Sequence, residues 1–250
     1  SLLAQAQLGN GPLAMTLNLS GTPAITANSD GTVNSFDPSS HLMTNVVHTS
    51  TLMQPAQPIN MLTTTVNLFI TLPNVPAAAV LNGNDPPQLL QELPLAASPI
   101  SFAGNSNASR IDAISQDNGS ITVACCYCEK PAQVSTAGQV ASIEIATLNI
   151  SRTLPVGICP VYGISSTDNQ RTFILNRGSG TVTVINSQLN QLDNTPNRPN
   201  LDPTTGTLTL PPPAGYSGPT FDAGPVFADY FAPTSQLVTA NYDSNTISII

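Results

Sequence analysis

Apolar and polar positions alternate in short runs along most of the chain. In "TVTVI" (181–185) Val and Ile fall on one side and Thr on the other, the period of two that marks a β-strand. Runs at 160–166, 172–176 and 181–186 are rich in Val, Ile, Phe and Thr and are bounded by Gly, Asn, Asp or Pro. Between such runs, "NRGSG", "NYDSN" and "NSDG" supply residues that tolerate the positive φ of a tight hairpin turn. Helical periodicity is almost absent. The stretch "PPQLLQELPLAASP" (86–99) has the leucines of a short helix, yet it sits where a fourth strand belongs and ends in proline, so it is read as an outer strand.

The pattern repeats. "RTFILNRGSGTVTVI" (171–185) returns as "QLVTANYDSNTISII" (236–250). Asn176 and Asn241 are each followed five residues later by a threonine that opens an alternating strand, and each is preceded by a proline sixteen residues earlier, Pro160 and Pro225. The same interval links Pro12 to Asn28 and Pro58 to Asn74. Overlaying "DNGSITVAC" on "DNQRTFILN" gives a degenerate fifth unit, with Cys125 in the asparagine position and Ser109 near the proline position. Markers at 28, 74, 125, 176 and 241 recur at the period of propeller blades. Each unit reads as three strands plus a fourth, as in "ISRTLPVG" (150–157), and a lone unit cannot bury both faces. The expected fold is therefore all-β, a β-propeller of about five four-stranded blades in one domain spanning 1–250. The units are roughly 12–57, 58–98, 99–159, 160–224, and 225–250 plus 1–11. The stretches 187–206 and 211–220 are read as decorating loops.

"LLAQAQLGNGP" (2–12) resembles "LLQELPLAASP" (89–99) in length, leucine placement and final proline. The first residues thus look like a fourth strand without its first three, and the last unit looks like three strands without a fourth. Leu2, Leu3 and Leu8 are expected to complete the sheet that holds Ile247 and Ile249, either within one chain or from a neighbour. Closure through a neighbour joins copies head to tail. Five units either make the whole ring or belong to a larger one.

The segment "LPVGICPVYGISSTDNQRTFILNRGSGTVTVI" (154–185) resembles the YVTN-type β-propeller repeat, with "FILN" and "VTAN" in the Tyr-Val-Thr-Asn position. The copy at 221–250 matches nearly as well, those at 12–36 and 58–80 more weakly, and 109–147 departs most, with "CCYC" where the Asn turn belongs. The resemblance implies an exported or surface-layer protein of bacteria or archaea, with relatives among lactonase-like propellers and cofactor-binding dehydrogenases. No catalytic residue of those relatives has a counterpart here.

Composition narrows the partners. Charged residues make up 8% of 250, Lys130 is the only lysine, and hydrophobic residues make up 40%, enough for a core. No apolar run reaches the roughly 20 residues of a spanning helix, so the chain is expected not to span a membrane. Six basic residues in a chain of net charge −8 cannot neutralise a phosphate backbone, which argues against nucleic acid. Few lysines, many Ser, Thr and Asn, and 23 prolines suit an extracellular or cell-surface protein. The opening "SLLAQAQ" lacks the basic and long apolar regions of a secretory signal.

Candidate chemistry is sparse. Cys125, Cys126, Cys128 and Cys159 suggest one or two disulfides outside the cell, against a zinc site or buried thiols. His41 and His48 form a conceivable metal pair but read more simply as side chains near a blade edge. Asp117 and Asp168 fit turn-capping positions. Asp222, Asp229 and Asp243, with Tyr230 and Tyr242, are weighed for calcium but match no loop motif. Sequons fall at Asn18, Asn107, Asn118 and Asn149. No catalytic, cofactor or metal set emerges. The expectation is a non-enzymatic exported scaffold or self-assembling subunit, a homo-oligomer or polymer. The alternatives are a glycan- or peptide-binding module and, behind it, a lactonase- or lyase-like enzyme with a metal in the central channel.

Overall fold

The alternating runs form strands in a computed structural model that describes residues 8, 10–17, 23–40, 42–48, 59–84, 87–116, 136–195, 199–218 and 220–250, with 42–48 as backbone only. The described residues are all-β and build five antiparallel sheets, each from one continuous stretch of chain. Sheet 1 is β1 (Pro12–Leu17), β2 (Ala24–Asn28), β3 (Thr32–Asp37) and β4 (Leu42–His48). Sheet 2 is β5 (Met61–Thr63), β6 (Asn67–Leu72), β7 (Ala77–Asn82) and β8 (Leu89–Pro94). Sheet 3 is β9 (Pro99–Ala103), β10 (Arg110–Ser115), β11 (Ala137–Glu144) and β12 (Asn149–Ile158). Sheet 4 holds β13 (Pro160–Ser165), β14 (Arg171–Asn176), β15 (Thr181–Asn186), β16 (Gln191–Leu192), β17 (Leu201–Asp202) and β18 (Thr207–Thr209). Sheet 5 is β19 (Pro225–Phe231), β20 (Gln236–Asn241) and β21 (Thr246–Ile249). In every sheet the first three strands pair in sequence order. The leucines at 89–94 do form an outer strand, β8, rather than a helix.

The proline-to-asparagine interval has a physical cause. Pro12 pairs with Asn28, Pro160 with Asn176 and Pro225 with Asn241 as direct cross-strand partners. The residue before each proline is left-handed: Gly11, Cys159 and Gly224 have φ of 59°, 50° and 56°. Its carbonyl accepts a hydrogen bond from the backbone N–H that follows the asparagine, at Ser29, Arg177 and Tyr242 respectively. Proline opens the strand, where no ladder donor is lost. The asparagine Nδ2 then clamps the next strand with both hydrogens. It reaches Thr32 Oγ1 and Asn34 Oδ1 in sheet 1, Thr181 and Thr183 Oγ1 in sheet 4, and Thr246 Oγ1 and Ser248 Oγ in sheet 5, all within 2.7–3.1 Å.

Two sheets depart from the expected markers. In sheet 2, Asn74 lies in the turn after β6, and Leu72 takes the strand-end position, pairing with Ala77 as Asn176 pairs with Thr181. Pro58 is outside the described residues. In sheet 3 the position belongs to Ser115, which pairs with Pro99, sixteen residues earlier, and not to Cys125. Cys125, Cys126 and Cys128 fall between β10 and β11, outside the described residues. The 187–206 stretch is not only loop: it carries β16 and β17, and β18 then takes the outer-strand place beside β15.

Successive sheets pack face to face, their first strands adjacent: β1 on β5, β5 on β9, β9 on β13 and β13 on β19. Period-two alternation gives sheets 2, 3 and 4 apolar side chains on both sides, a rear face toward the preceding sheet and a forward face toward the next. Four cores result. Ile25, Ala27 and Val33 meet Leu68, Ile70 and Leu72 between sheets 1 and 2. Phe69 and Val80 meet Phe102, Ile111 and Ile143 between sheets 2 and 3. Ile114, Val140 and Leu154 meet Ile174 and Ile185 between sheets 3 and 4. Phe173, Leu175 and Val182 meet Ala228 and Leu237 between sheets 4 and 5.

Candidate functional site

Sheets 1 and 5 both carry exposed apolar side chains. Sheet 5 directs Val238, Ala240, Ile247 and Ile249 forward, with Ala240 beside Ile247 and Val238 beside Ile249, while the Phe227 ring lies 5.0 Å from that of Tyr162 in sheet 4. Ile247 is 70% exposed, whereas Val182, at the same position in sheet 4, is 1% exposed beneath sheet 5. Sheet 1 directs Met15 and Leu17 to its rear from its first strand, while Thr26 and Asn34 on the same side of β2 and β3 are polar and buried. Met15 is 71% exposed, whereas Phe102 and Ala228, three residues after the opening proline as Met15 is, are 5% and 2% exposed. Leu13 and Phe231 are also more than half exposed. Among the described residues, β19–β21 make no broad contact with β1–β4. Covering side chains of this size is worth about 1.5–3 kcal/mol each, so the forward side of sheet 5 and the exposed side chains of β1 are a reserve of unburied apolar surface. Asp229 is the one charged side chain among the forward-facing residues of β19–β21.

Of the residues expected to complete the last sheet, Leu2 and Leu3 lie outside the described residues and Leu8 is half-buried, with Ile247 and Ile249 both exposed. Among the described residues β21 pairs on one side only, with β20.

Charged groups inside the stack hold sheets together. Arg177, in the turn after β14, donates from Nε and Nη2 to the two carboxylate oxygens of Asp243, both at 2.9 Å, with side chains 1% and 4% exposed. The guanidinium also lies 5.0 Å from the Tyr242 ring centre. The hydrogen bonds it donates to Asp243 push the Arg177 pKa further up, against the opposing effect of burial. The aspartates weighed for calcium are thus separated in role: Asp243 is committed to Arg177, while Asp222 and Asp229 are exposed. Among the described residues no group of three or more His, Cys, Asp or Glu side chains converges.

Between sheets 3 and 4, Asp112 is buried and accepts a hydrogen bond of 2.7 Å from Ser142 Oγ. Burial raises its pKa, and the hydroxyls of Ser142 and Thr172 with the charge of Arg110 only partly oppose this. Asp112 borders a polar cleft of about 90 Å³ with Arg110, Ser165, Asn169, Thr172 and Ser187. Arg110 spans the seam, donating to Glu144 Oε1 at 2.6 Å and to the Ser187 carbonyl at 2.8 Å. A wider cleft of about 360 Å³ lies between β12 and the β15–β18 pair, with Pro155, Val156, Ile158 and Leu192 as apolar walls and Thr205 and Thr207 beside them.

Cys159 is fully buried in its left-handed position, and no disulfide forms among the described residues. Asp168 caps its turn, accepting from Ser166 Oγ and the Gln170 N–H, and these bonds hold its pKa below the usual value. Asn107 and Asn149 are exposed. His41, Asp117, Asn18 and Asn118 are outside the described residues, and His48 ends β4, where only the backbone is described. The Arg177–Asp243 pair and buried Asp112 escaped sequence reading, because partners so distant in the chain meet only when the sheets stack.

No protein-family model matches the chain, and no curated protein matches it. The structure of U3-55K is similar to it with a TM-score of 0.58 and 10% sequence identity, over 75% of this chain and 52% of that one. This chain therefore spans about half the length of U3-55K, and at that identity the likeness is one of fold alone.

Proposed function

We propose that the chain is a propeller-type scaffold, built from blades of the YVTN-like repeat class, that works at the cell surface by self-association rather than by catalysis. The observation that carries this reading is the exposed apolar side of sheet 5, where Ile247 matches by position the covered Val182 of sheet 4. The four existing cores supply the rule by which a further sheet packs on it. Residues 1–11 serve in this reading as the strand that completes the sheet of Ile247 and Ile249. A charge-poor surface of Asn, Ser and Thr suits an exported scaffold. Electron microscopy of the purified protein across concentration and pH tests the proposal. Ordered oligomers or filaments are expected, and uniform monomers under every condition would rule it out.

A second reading, a glycan- or peptide-binding module, is favoured by the cleft beside β12, whose apolar walls and threonine hydroxyls suit an extended ligand. An array screen that yields one specific ligand, whose binding is lost in Thr205→Trp, would select it.

A further inference from the structure

We infer that Asp112 is a protonated, uncharged acid at neutral pH, and that its proton latches the turn between β15 and β16 onto sheet 3. The inference stands apart from self-association and rests on the hydrogens available along one chain of oxygens. Ser142 Oγ lies 2.7 Å from Asp112 Oδ1 and 2.9 Å from Asn190 Oδ1, yet a serine hydroxyl has a single hydrogen to donate. The Asn190 amide is held in this orientation because its Nδ2 donates to Ser151 Oγ at 3.0 Å. Ser151 gives its own hydrogen to the Ser142 carbonyl at 3.2 Å, so it meets Asn190 as an acceptor. An ionised Asp112 would therefore leave two acceptors competing for the Ser142 hydrogen. With the acid protonated, Asp112 donates to Ser142, Ser142 donates to Asn190, and both contacts are hydrogen bonds.

Among the described residues no uncommitted cation takes the place of that proton. Of the charged groups on the surrounding strands, Arg110 of β10 is paired with Glu144 of β11 at 2.6 Å and also donates to the Ser187 carbonyl. Arg171 of β14 is paired with Asp193 at 2.7 Å, and Arg152 of β12 donates to the Asn190 carbonyl at 3.0 Å. Strands β9, β13 and β15 carry no charged residue. Arg110 and Glu144 act on Asp112 in opposite senses. A buried carboxyl without a cation of its own takes up a proton rather than remain charged. On its other side Thr172 offers a hydroxyl, and Ser165 and Ser187 continue the chain from Thr172 at 3.0 and 2.9 Å. Asp112 and these three hydroxyl residues line the polar cleft, which gives the proton its route to water.

The latch closes on the turn at 187–190, where Asn190 is left-handed with φ of 50°. When Asp112 loses its proton to water, Ser142 turns its hydrogen to the carboxylate and Asn190 Oδ1 loses its donor. The latch is thus closed below the folded pKa of Asp112 and opens as pH rises through it.

Infrared spectra of the wild type and of Asp112→Asn at neutral pH test the proton. The wild type should show a protonated-carboxyl C=O band that the variant lacks, and a wild type with every carboxyl ionised overturns the inference. If Asp112→Asn fails to fold, carbon-13 NMR of the aspartate carboxyls in the wild type answers the same question, with a neutral-acid shift expected at neutral pH. Amide exchange over 187–192 tests the latch. Ser142→Ala cuts the chain of hydrogen bonds and should speed exchange there by up to about tenfold, the equivalent of one hydrogen bond. Wild type and Asp112→Asn should exchange alike while the acid is protonated, and the wild type faster once it ionises. Unchanged exchange in Ser142→Ala, or a wild-type-to-Asn ratio that stays level across the ionisation, overturns the latch.

Discussion

Arg177 carries its charge into a site that is 1% exposed, and Asp243 is what makes that tolerable. Removing one partner of a buried ion pair leaves an uncompensated charge and typically costs about 3–5 kcal/mol. Asp243→Ala is therefore expected to lose stability of that order in chemical denaturation, and Arg177→Met, which leaves the Asp243 carboxylate buried without its partner, should lose a comparable amount. Asp112 gives a pH signature. Its folded pKa lies above the ordinary 3.8 because it is buried, so its contribution to stability is full below that value and is lost as pH rises through the folded pKa. Asp193 behaves oppositely. Burial would raise its pKa, but Thr195 and Arg171 outweigh burial and hold it low, so its contribution is present above 3.8 and lost as pH falls. Asp112→Asn should accordingly gain on the wild type as pH is raised from 3 toward 7 in parallel denaturation series. A gap that shrinks with rising pH would contradict this assignment.

At the scale of elements, the strands were largely legible because alternation and turn residues are local signals. The sixteen-residue interval was legible for a stronger reason: it records a cross-strand pair, Pro160 with Asn176, fixed by hairpin length. The clamp can be tested. Asn241→Ala leaves Thr246 and Ser248 without the amide that joins them, which should cost about 1–3 kcal/mol. Amide exchange should rise first across 236–249, and a loss spread evenly over all sheets would contradict a local clamp. Where the clamp is absent the sequence misleads. Leu72 and Ser115 hold the same position without an amide, so nearby Asn74 and the alternating "ITVAC" drew the alignment away from them. The outer strand of sheet 4 was hidden for another reason, since β18 reaches β15 only after a long excursion through β16 and β17.

For the whole molecule, the governing feature is that sheets 2, 3 and 4 present apolar side chains on both sides and are covered on both, while the forward side of sheet 5 is exposed at Ile247 and Ile249. The succession of sheets was visible in the sequence as its repeating unit. Which side chains form the faces was not visible, because the face a residue joins depends on the register slip just after each opening proline. Charge adds little to the proposed self-association, so it should depend weakly on salt, unlike a contact built from ion pairs. The most direct measurement is amide hydrogen exchange by mass spectrometry across a concentration series. The account predicts that 246–249 becomes protected as concentration rises, with β6, β10 and β14 unchanged. Exchange in that segment that ignores concentration would contradict it.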